Sequence, residues 1–233
     1  MVRSVGINNE SSRKEWLEKT LLSIPAGQKI LDAGAGELAN KKYCPHLQYV
    51  SQDFCQYDGQ GDEHALQMGD WDTSRIDLVS DITDIPVAAE EFDTVLCSEV
   101  FEHLPDPVQA LRELTRVLKP GGRLILTAPF CSLTHFAPFH FASGFNRYFY
   151  EHHLAALNYD IVEVSANGNY FEYMGQEVHR IESVAADYAS AKLSFIEKRI
   201  VRGMLKLLAR LSKNNHKSEE LLCYGYHVVA IKK

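Results

Sequence analysis

At 233 residues and 45% hydrophobic, the chain can bury one substantial α/β core, and its net charge of −7 argues against non-specific nucleic-acid binding. Cys44, Cys55, Cys97, Cys131 and Cys223 are odd in number and contain no C-x-x-C, so reduced, mostly buried thiols are expected rather than disulfides or a zinc site. The polar opening Asn8-Asn9-Glu10-Ser11-Ser12 lacks the apolar run of a signal peptide, and no segment approaches the ~18 apolar residues of a membrane span, so a cytoplasmic location is expected.

In chain order, Ser12 and Glu15 fit a capping box for a helix through Ser23, with Leu17, Leu21 and Ile24 on one face and Pro25 and Gly27 ending it. Two roles for it stay open: lying over a ligand cleft, or packing without ligand contact. The stretch Lys29 to Leu38, K-I-L-D-A-G-A-G-E-L, reads as a short apolar strand with Asp32 at its carboxyl end, a turn on Gly34 and Gly36, and a helix beginning near Glu37. Gly34, Gly36 and Ala39 also satisfy the dinucleotide fingerprint, which would set a pyrophosphate on the helix amides. Asp32 and Glu37 flank that spot. They would repel a pyrophosphate and suit a cationic, phosphate-free ligand, so the charge pattern points to S-adenosylmethionine and disfavours an NAD-linked oxidoreductase. The segment resembles the first motif of the class I methyltransferases, D/E-x-G-x-G-x-G, with Leu38 standing where their third glycine would be.

Gln48 to Ser51 reads as the second strand, and Asp53 follows it, 17 residues beyond Gly36, where one carboxylate can hold two ribose hydroxyls. Phe54 would then pack on the adenine. Tyr57 to Ser74 reads as a loose connection or irregular helix, followed by a third strand at Ile76 to Ser80. The resemblance implies that Asp81 and Ile82 bind the adenine, with Asp84 the alternative carboxylate. Phe92 to Ser98 is a continuous apolar run and so a strand buried on both faces. The following S-E-V-F-E-H-L-P-D-P resembles the fourth motif of the small-molecule methyltransferases and adds Ser98 to the implied cofactor site. Asp106 and Pro107 are good N-cap and N1 residues for a helix carrying Val108, Leu111, Leu114 and Leu118. The run L-K-P-G-G-R-L-I-L stops that helix and turns into a fifth strand, Arg123 to Ala128, again closely as in that family.

Methyl transfer from a sulfonium is a direct displacement. The protein has only to place the nucleophile in line and remove its proton. His103, His135 and His140 are the candidates for proton removal, with loop ordering as the alternative role. Glu99, Glu102 and His103 spell E-x-x-E-H, which resembles the divalent-metal sites of small-RNA 2′-O-methyltransferases and some quinone-pathway catechol methyltransferases; metal-free relatives share these letters, so no metal is the expectation and this trio the alternative.

Asn146 opens a helix through Leu157, and Asp160 to Ser165 is a sixth strand. Tyr170 to Lys217 is a long helical insertion before the last strand, Leu222 to Ile231. Within it, residues 192–217 carry eight Lys or Arg against one Glu; this +7 leaves −14 on the remainder of the chain. A solvated basic face and a peripheral contact with an anionic membrane both fit that pattern. The expectation is one α/β domain over residues 1–233: an N-terminal helix (1–28), a cofactor-binding core (29–166), the insertion (167–219) and the last strand (220–233). The resemblance implies a Rossmann-like, seven-stranded, mostly parallel sheet with a terminal antiparallel hairpin, and an enzyme that O-methylates a small molecule such as a sugar, phenol, or lipid- or nucleotide-linked acceptor. A non-catalytic cofactor-binding protein is the rival reading.

Overall fold

The computed structural model describes residues 5–59, 66 and 71–233. Among them, β1 (Lys29–Ala33), β2 (Gln48–Asp53), β3 (Leu78–Val79), β4 (Phe92–Ser98), β5 (Leu118–Pro129), β6 (Tyr159–Asn167) and β7 (Gly225–Lys232) form a single sheet in the order β3-β2-β1-β4-β5-β7-β6. The pairs β3–β2, β2–β1, β1–β4 and β4–β5 are parallel, and β5–β7 is antiparallel. This is the seven-stranded Rossmann-like sheet with a reversed end that the sequence implies. The strand order reverses between β1 and β4, so the carboxyl ends of these strands border a crevice suited to a ligand. Phe92, Val95, Leu96 and Cys97 of β4 are all buried, as a central parallel strand requires.

Helices α1 (Asn9–Leu22), α2 (Pro107–Val117), α3 (Arg147–Ala156), α4 (Tyr170–Ala189) and α5 (Phe195–Lys213) complete the described elements. Asp106 caps α2 by accepting the Gln109 N–H at 2.9 Å, with Pro107 in the first turn, and Asn146 caps α3 by accepting from Phe149. The expected Ser12–Glu15 capping box is not where α1 starts. The helix begins at Asn9, and Ser12 already donates its backbone N–H to the Asn8 carbonyl inside the first turn. Three further expectations change. β3 is two residues long rather than five. β5 begins at Leu118, because Leu118 pairs with Phe92 before the register shifts across Gly121 and Gly122.

No helix follows the glycine turn: the described residues after Gly36 form turns to Asn40 and a short 3-10 segment, Lys41–Tyr43. Leu38 explains the difference, because its φ of +64° lies in the left-handed region and interrupts helical winding at the second residue after Gly36. Burial of its side chain, 8% exposed, offsets that backbone strain.

Two compact units divide the chain: Glu15–Ser165 with Gly225–Lys233, and Met1–Lys14 with Ala166–Tyr224. In the former, Leu17, Leu21 and Ile24 join Ile30, Leu96 and Ile125 in one buried cluster, so this part of α1 packs on the sheet. In the latter, α4 and α5 pack around Phe171, Met174, Val178, Leu205, Leu208 and Ala209, with Val5 between them. Glu172 ties this unit together by accepting from the Gly6 N–H and the Ser212 hydroxyl, each at 3.0 Å. No helix among the described residues is long and apolar enough to cross a membrane.

Candidate active site at the carboxyl ends of the strands

Gly34 and Gly36 take φ of +73° and +51°, a region that glycine enters at little cost. The backbone also runs close to its neighbours: a Cβ on Gly34 would lie 2.4 Å from Val100 Cγ2, and one on Gly36 would lie 2.8 Å from Trp71 Cζ2. The turn is fastened to β2. Gly34 N–H donates to the Gln52 carbonyl at 2.8 Å, and Gly36 N–H to Asp53 Oδ2 at 2.9 Å, while Asp53 Oδ1 accepts from Cys55 N at 2.9 Å. Asp53 therefore sits against the turn, and each of its oxygens keeps a second lone pair.

The carboxylates expected beside the turn differ in exposure. Glu37 is exposed, whereas Asp32 is 1% exposed and accepts the Tyr49 hydroxyl at 2.6 Å. Burial pushes the Asp32 pKa up to about 6, against the lowering effect of hydrogen bonds from Tyr49 and Asn40. Phe54 is half-buried and meets Phe139 edge-on at 5.0 Å. At the end of β3, exposed Asp81 folds its carboxylate onto Thr83 N and Oγ1, and the Ile82 side chain is buried, which leaves its backbone for any ligand contact. Asp84 N–H closes the turn onto the Asp81 carbonyl. At the end of β4, Ser98 Oγ lies 2.8 Å from Thr127 Oγ1, which donates to Glu99 Oε1 at 2.9 Å.

The three histidines lie together. Ring centroids are 4.7 Å apart for His103–His135, 4.9 Å for His135–His140 and 6.0 Å for His103–His140. His103 Nδ1 is 2.5 Å from the Phe139 carbonyl and His135 Nδ1 is 2.8 Å from the Leu133 carbonyl. A carbonyl oxygen only accepts, so both Nδ1 atoms carry hydrogen and both Nε2 atoms present lone pairs when the rings are neutral. Those Nε2 atoms lie 3.6 and 3.8 Å from Oε1 of Glu102, which is 1% exposed. Burial lowers the His103 pKa to about 4 and also lowers that of His140, whose Nε2 meets Ser132 Oγ at 3.1 Å. Of the E-x-x-E-H trio, Glu102 and His103 belong to this cluster. Glu99 turns away to Thr127, and the third member is His135, with the ligand atoms of Glu102, His103 and His135 all within 4.8 Å of one another.

Residues 31–126 match the family model described as a methyltransferase domain. This match covers less than half of the chain. A ubiquinone biosynthesis O-methyltransferase of Xanthomonas axonopodis pv. citri is 34% identical over 119 residues, covering 44% of this chain and 44% of that protein. A demethylmenaquinone methyltransferase of Staphylococcus carnosus is 32% identical over 123 residues, covering 48% of each. The chain thus spans about half the length of these curated relatives. A SAM-dependent methyltransferase from Archaeoglobus fulgidus superposes with a TM-score of 0.57, covering 96% of this chain and 94% of that one; at 15% identity this is a likeness of fold.

The site also uses residues that sequence reasoning missed. Gln52 donates through Nε2 to the Ser80 carbonyl at 2.7 Å and so joins the ends of β2 and β3 beneath the crevice. Trp71, on the glycine turn, is edge-on to Phe136 at 5.2 Å and to Tyr57 at 6.0 Å, and Phe136 in turn meets His103 at 5.3 Å. A chain of aromatic rings thereby runs from the turn to the histidines. No local sequence signal marked it, because Tyr57, Trp71 and Phe136 are distant in sequence. Most of the intervening 57–74 connection lies outside the described residues, though Leu66 bridges to His135.

Proposed function

We propose that this domain transfers the methyl group of S-adenosylmethionine to an oxygen of a small molecule. The observation that carries the reading is the glycine turn fastened to Asp53 and followed by turns instead of a helix. An adenosyl ligand finds a carboxylate at the end of β2 for its ribose hydroxyls, whereas a pyrophosphate would lack the helix amides and dipole that hold it in dinucleotide sites. Gly34, Gly36 and buried Asp32 shape the floor, Phe54 and Ile82 flank the adenine, and Asp81 and Ser98 stand at its rim. The names of the curated relatives, two quinone-pathway methyltransferases, support a ring-bearing acceptor, and the rings of Trp71, Tyr57 and Phe136 suit one.

In this reading the acceptor oxygen attacks the sulfonium methyl in line, the C–S bond breaks to leave the neutral thioether, and the proton passes to His135 Nε2. His135 Nδ1–H is fixed on Leu133, whereas burial holds His103 well below neutrality as a proton acceptor. His103 then positions the loop through Phe139, and His140 through Ser132. Stabilisation of the full chain by S-adenosylhomocysteine and none by NAD is expected in a thermal-shift titration, on the order of 2.7 kcal/mol at a hundredfold excess over Kd. Stabilisation by NAD alone would remove the reading. Binding of the adenosyl compound without turnover of any catechol, phenol or sugar acceptor would favour the non-catalytic rival.

A second reading is favoured by one feature of the cluster. Glu102, His103 and His135 aim a carboxylate and two imidazole lone pairs at one locus, an acceptor-only set that fits a hard or borderline divalent cation. Bound there, such a cation would lower the pKa of an acceptor hydroxyl. Its test is Glu102→Ala: activation by magnesium or manganese should vanish, and an unchanged metal response removes this reading while leaving the His135 one intact.

A further inference from the structure

Helix α5 carries three faces. Leu205, Leu208 and Ala209 turn toward α4 and are half-buried or buried. About 100° per residue onward, Ile196, Ile200, Met204 and Leu207 fall on a second stripe, and these apolar side chains are exposed at 69%, 63%, 45% and 40%. Arg199, Arg202, Lys206, Arg210 and Lys213 fall on a third stripe beside it, all exposed. A helix packed on its partner by one face has no need of a second apolar stripe, and four large apolar groups along three turns form a patch of the kind that marks a docking surface. On α4, Ile181 and Val184 add exposure of 43% and 36%.

We propose that α5 docks on an anionic lipid surface, with Ile196, Ile200, Met204 and Leu207 entering the acyl boundary and the basic stripe meeting phosphate headgroups. Charge complementarity selects this occupant. Residues 192–217 carry +7 within a chain of −7, so the basic charge is gathered on the helix that bears the apolar stripe and opposes the charge of the rest of the molecule. A symmetric pairing of two copies through this face would set one basic stripe against another. The acidic groups on or next to the helix are engaged: Glu197 closes the capping box with Ser194, and Glu182 pairs with Lys198 at 2.5 Å. Long Arg and Lys stems beside an apolar stripe can reach up to headgroups while the apolar side chains enter the membrane.

The test is co-sedimentation of the full chain with vesicles of phosphatidylcholine alone or with about 30% phosphatidylglycerol, since each basic residue near an anionic surface contributes about fivefold to the partition coefficient. The wild type should bind the anionic vesicles at least tenfold more than the neutral ones, with binding weakened as salt is raised from about 0.05 to about 0.5 M. Arg199→Glu with Arg202→Glu and Lys206→Glu should lower binding more than tenfold, and so should Ile196→Ser with Ile200→Ser and Met204→Ser. Both variants should keep the wild-type circular dichroism spectrum. Absence of wild-type binding overturns the proposal, as does binding indifferent to both sets of changes. A concentration-dependent dimer in sedimentation velocity that the serine variant abolishes, without vesicle binding, would overturn it in favour of a second copy. Vesicle binding is read without methyl transfer, so this result stands apart from the fate of the proposed activity.

Discussion

Asp32 and His103 are both buried ionisable groups, and burial moves their pKa values in opposite directions, to about 6 and to about 4. For Asp32 the folded value lies above the unfolded one of about 3.8, so its contribution to stability is full below about pH 4 and is lost as pH rises through about 6. For His103 the folded value lies below the unfolded one of about 6.5, so its contribution is full above that pH and is lost as pH falls towards about 4. The two slopes oppose each other across the same window, each worth up to about 3 kcal/mol. Chemical denaturation of the metal-free chain between about pH 4 and 6.5 checks this. The stability of Asp32→Asn relative to wild type should rise with pH, and that of His103→Gln should fall; differences that do not vary with pH would contradict burial as the cause. Asp53 shows how the same residue type serves differently when it meets N–H donors. It accepts from Gly36 and Cys55, so its charge lies at the turn instead of beneath it.

At the scale of elements, the turn between β1 and the 3-10 segment depends on two separable properties of glycine. Gly121 has φ of +74° with nothing within 4 Å of an added Cβ, whereas Gly34 has φ of +73° and Val100 Cγ2 2.4 Å away. Gly121→Ala should therefore cost about 1 kcal/mol from backbone conformation alone, and Gly34→Ala at least about 2 kcal/mol because Val100 must also move. Equal losses in urea unfolding would mean that the close approach contributes nothing. The runs that were read correctly, β4 and α2, have signals contained in neighbouring residues: an unbroken apolar stretch in one, and Asp106, Pro107 and a helical stripe in the other. The helix expected near Glu37 failed because Leu38, standing where the family motif has a glycine, takes a positive φ that burial of its side chain stabilises.

For the molecule as a whole, α1 distinguishes packing from ligand contact. Leu21 is fully buried and shares a cluster with Ile30, Leu96 and Ile125 from three strands. Leu21→Ala should cost about 2.7–5 kcal/mol in unfolding while leaving affinity for S-adenosylhomocysteine in the folded chain within about twofold, since the lost groups face the sheet. A large loss of affinity with little loss of stability would reverse that assignment.

The amino-acid sequence by itself determined the α/β class, the glycine turn, the positions of Asp53 and the histidines near strand ends, and the basic helix, because periodicity, turn chemistry and charge are properties of neighbouring residues. Only the tertiary structure decided that Glu99 leaves the histidine cluster while His135 joins it, that Trp71 lies on the glycine turn, and that α5 keeps a second apolar stripe exposed. Each of those depends on which distant segments the sheet brings within a few ångströms, and no local pattern encodes that distance.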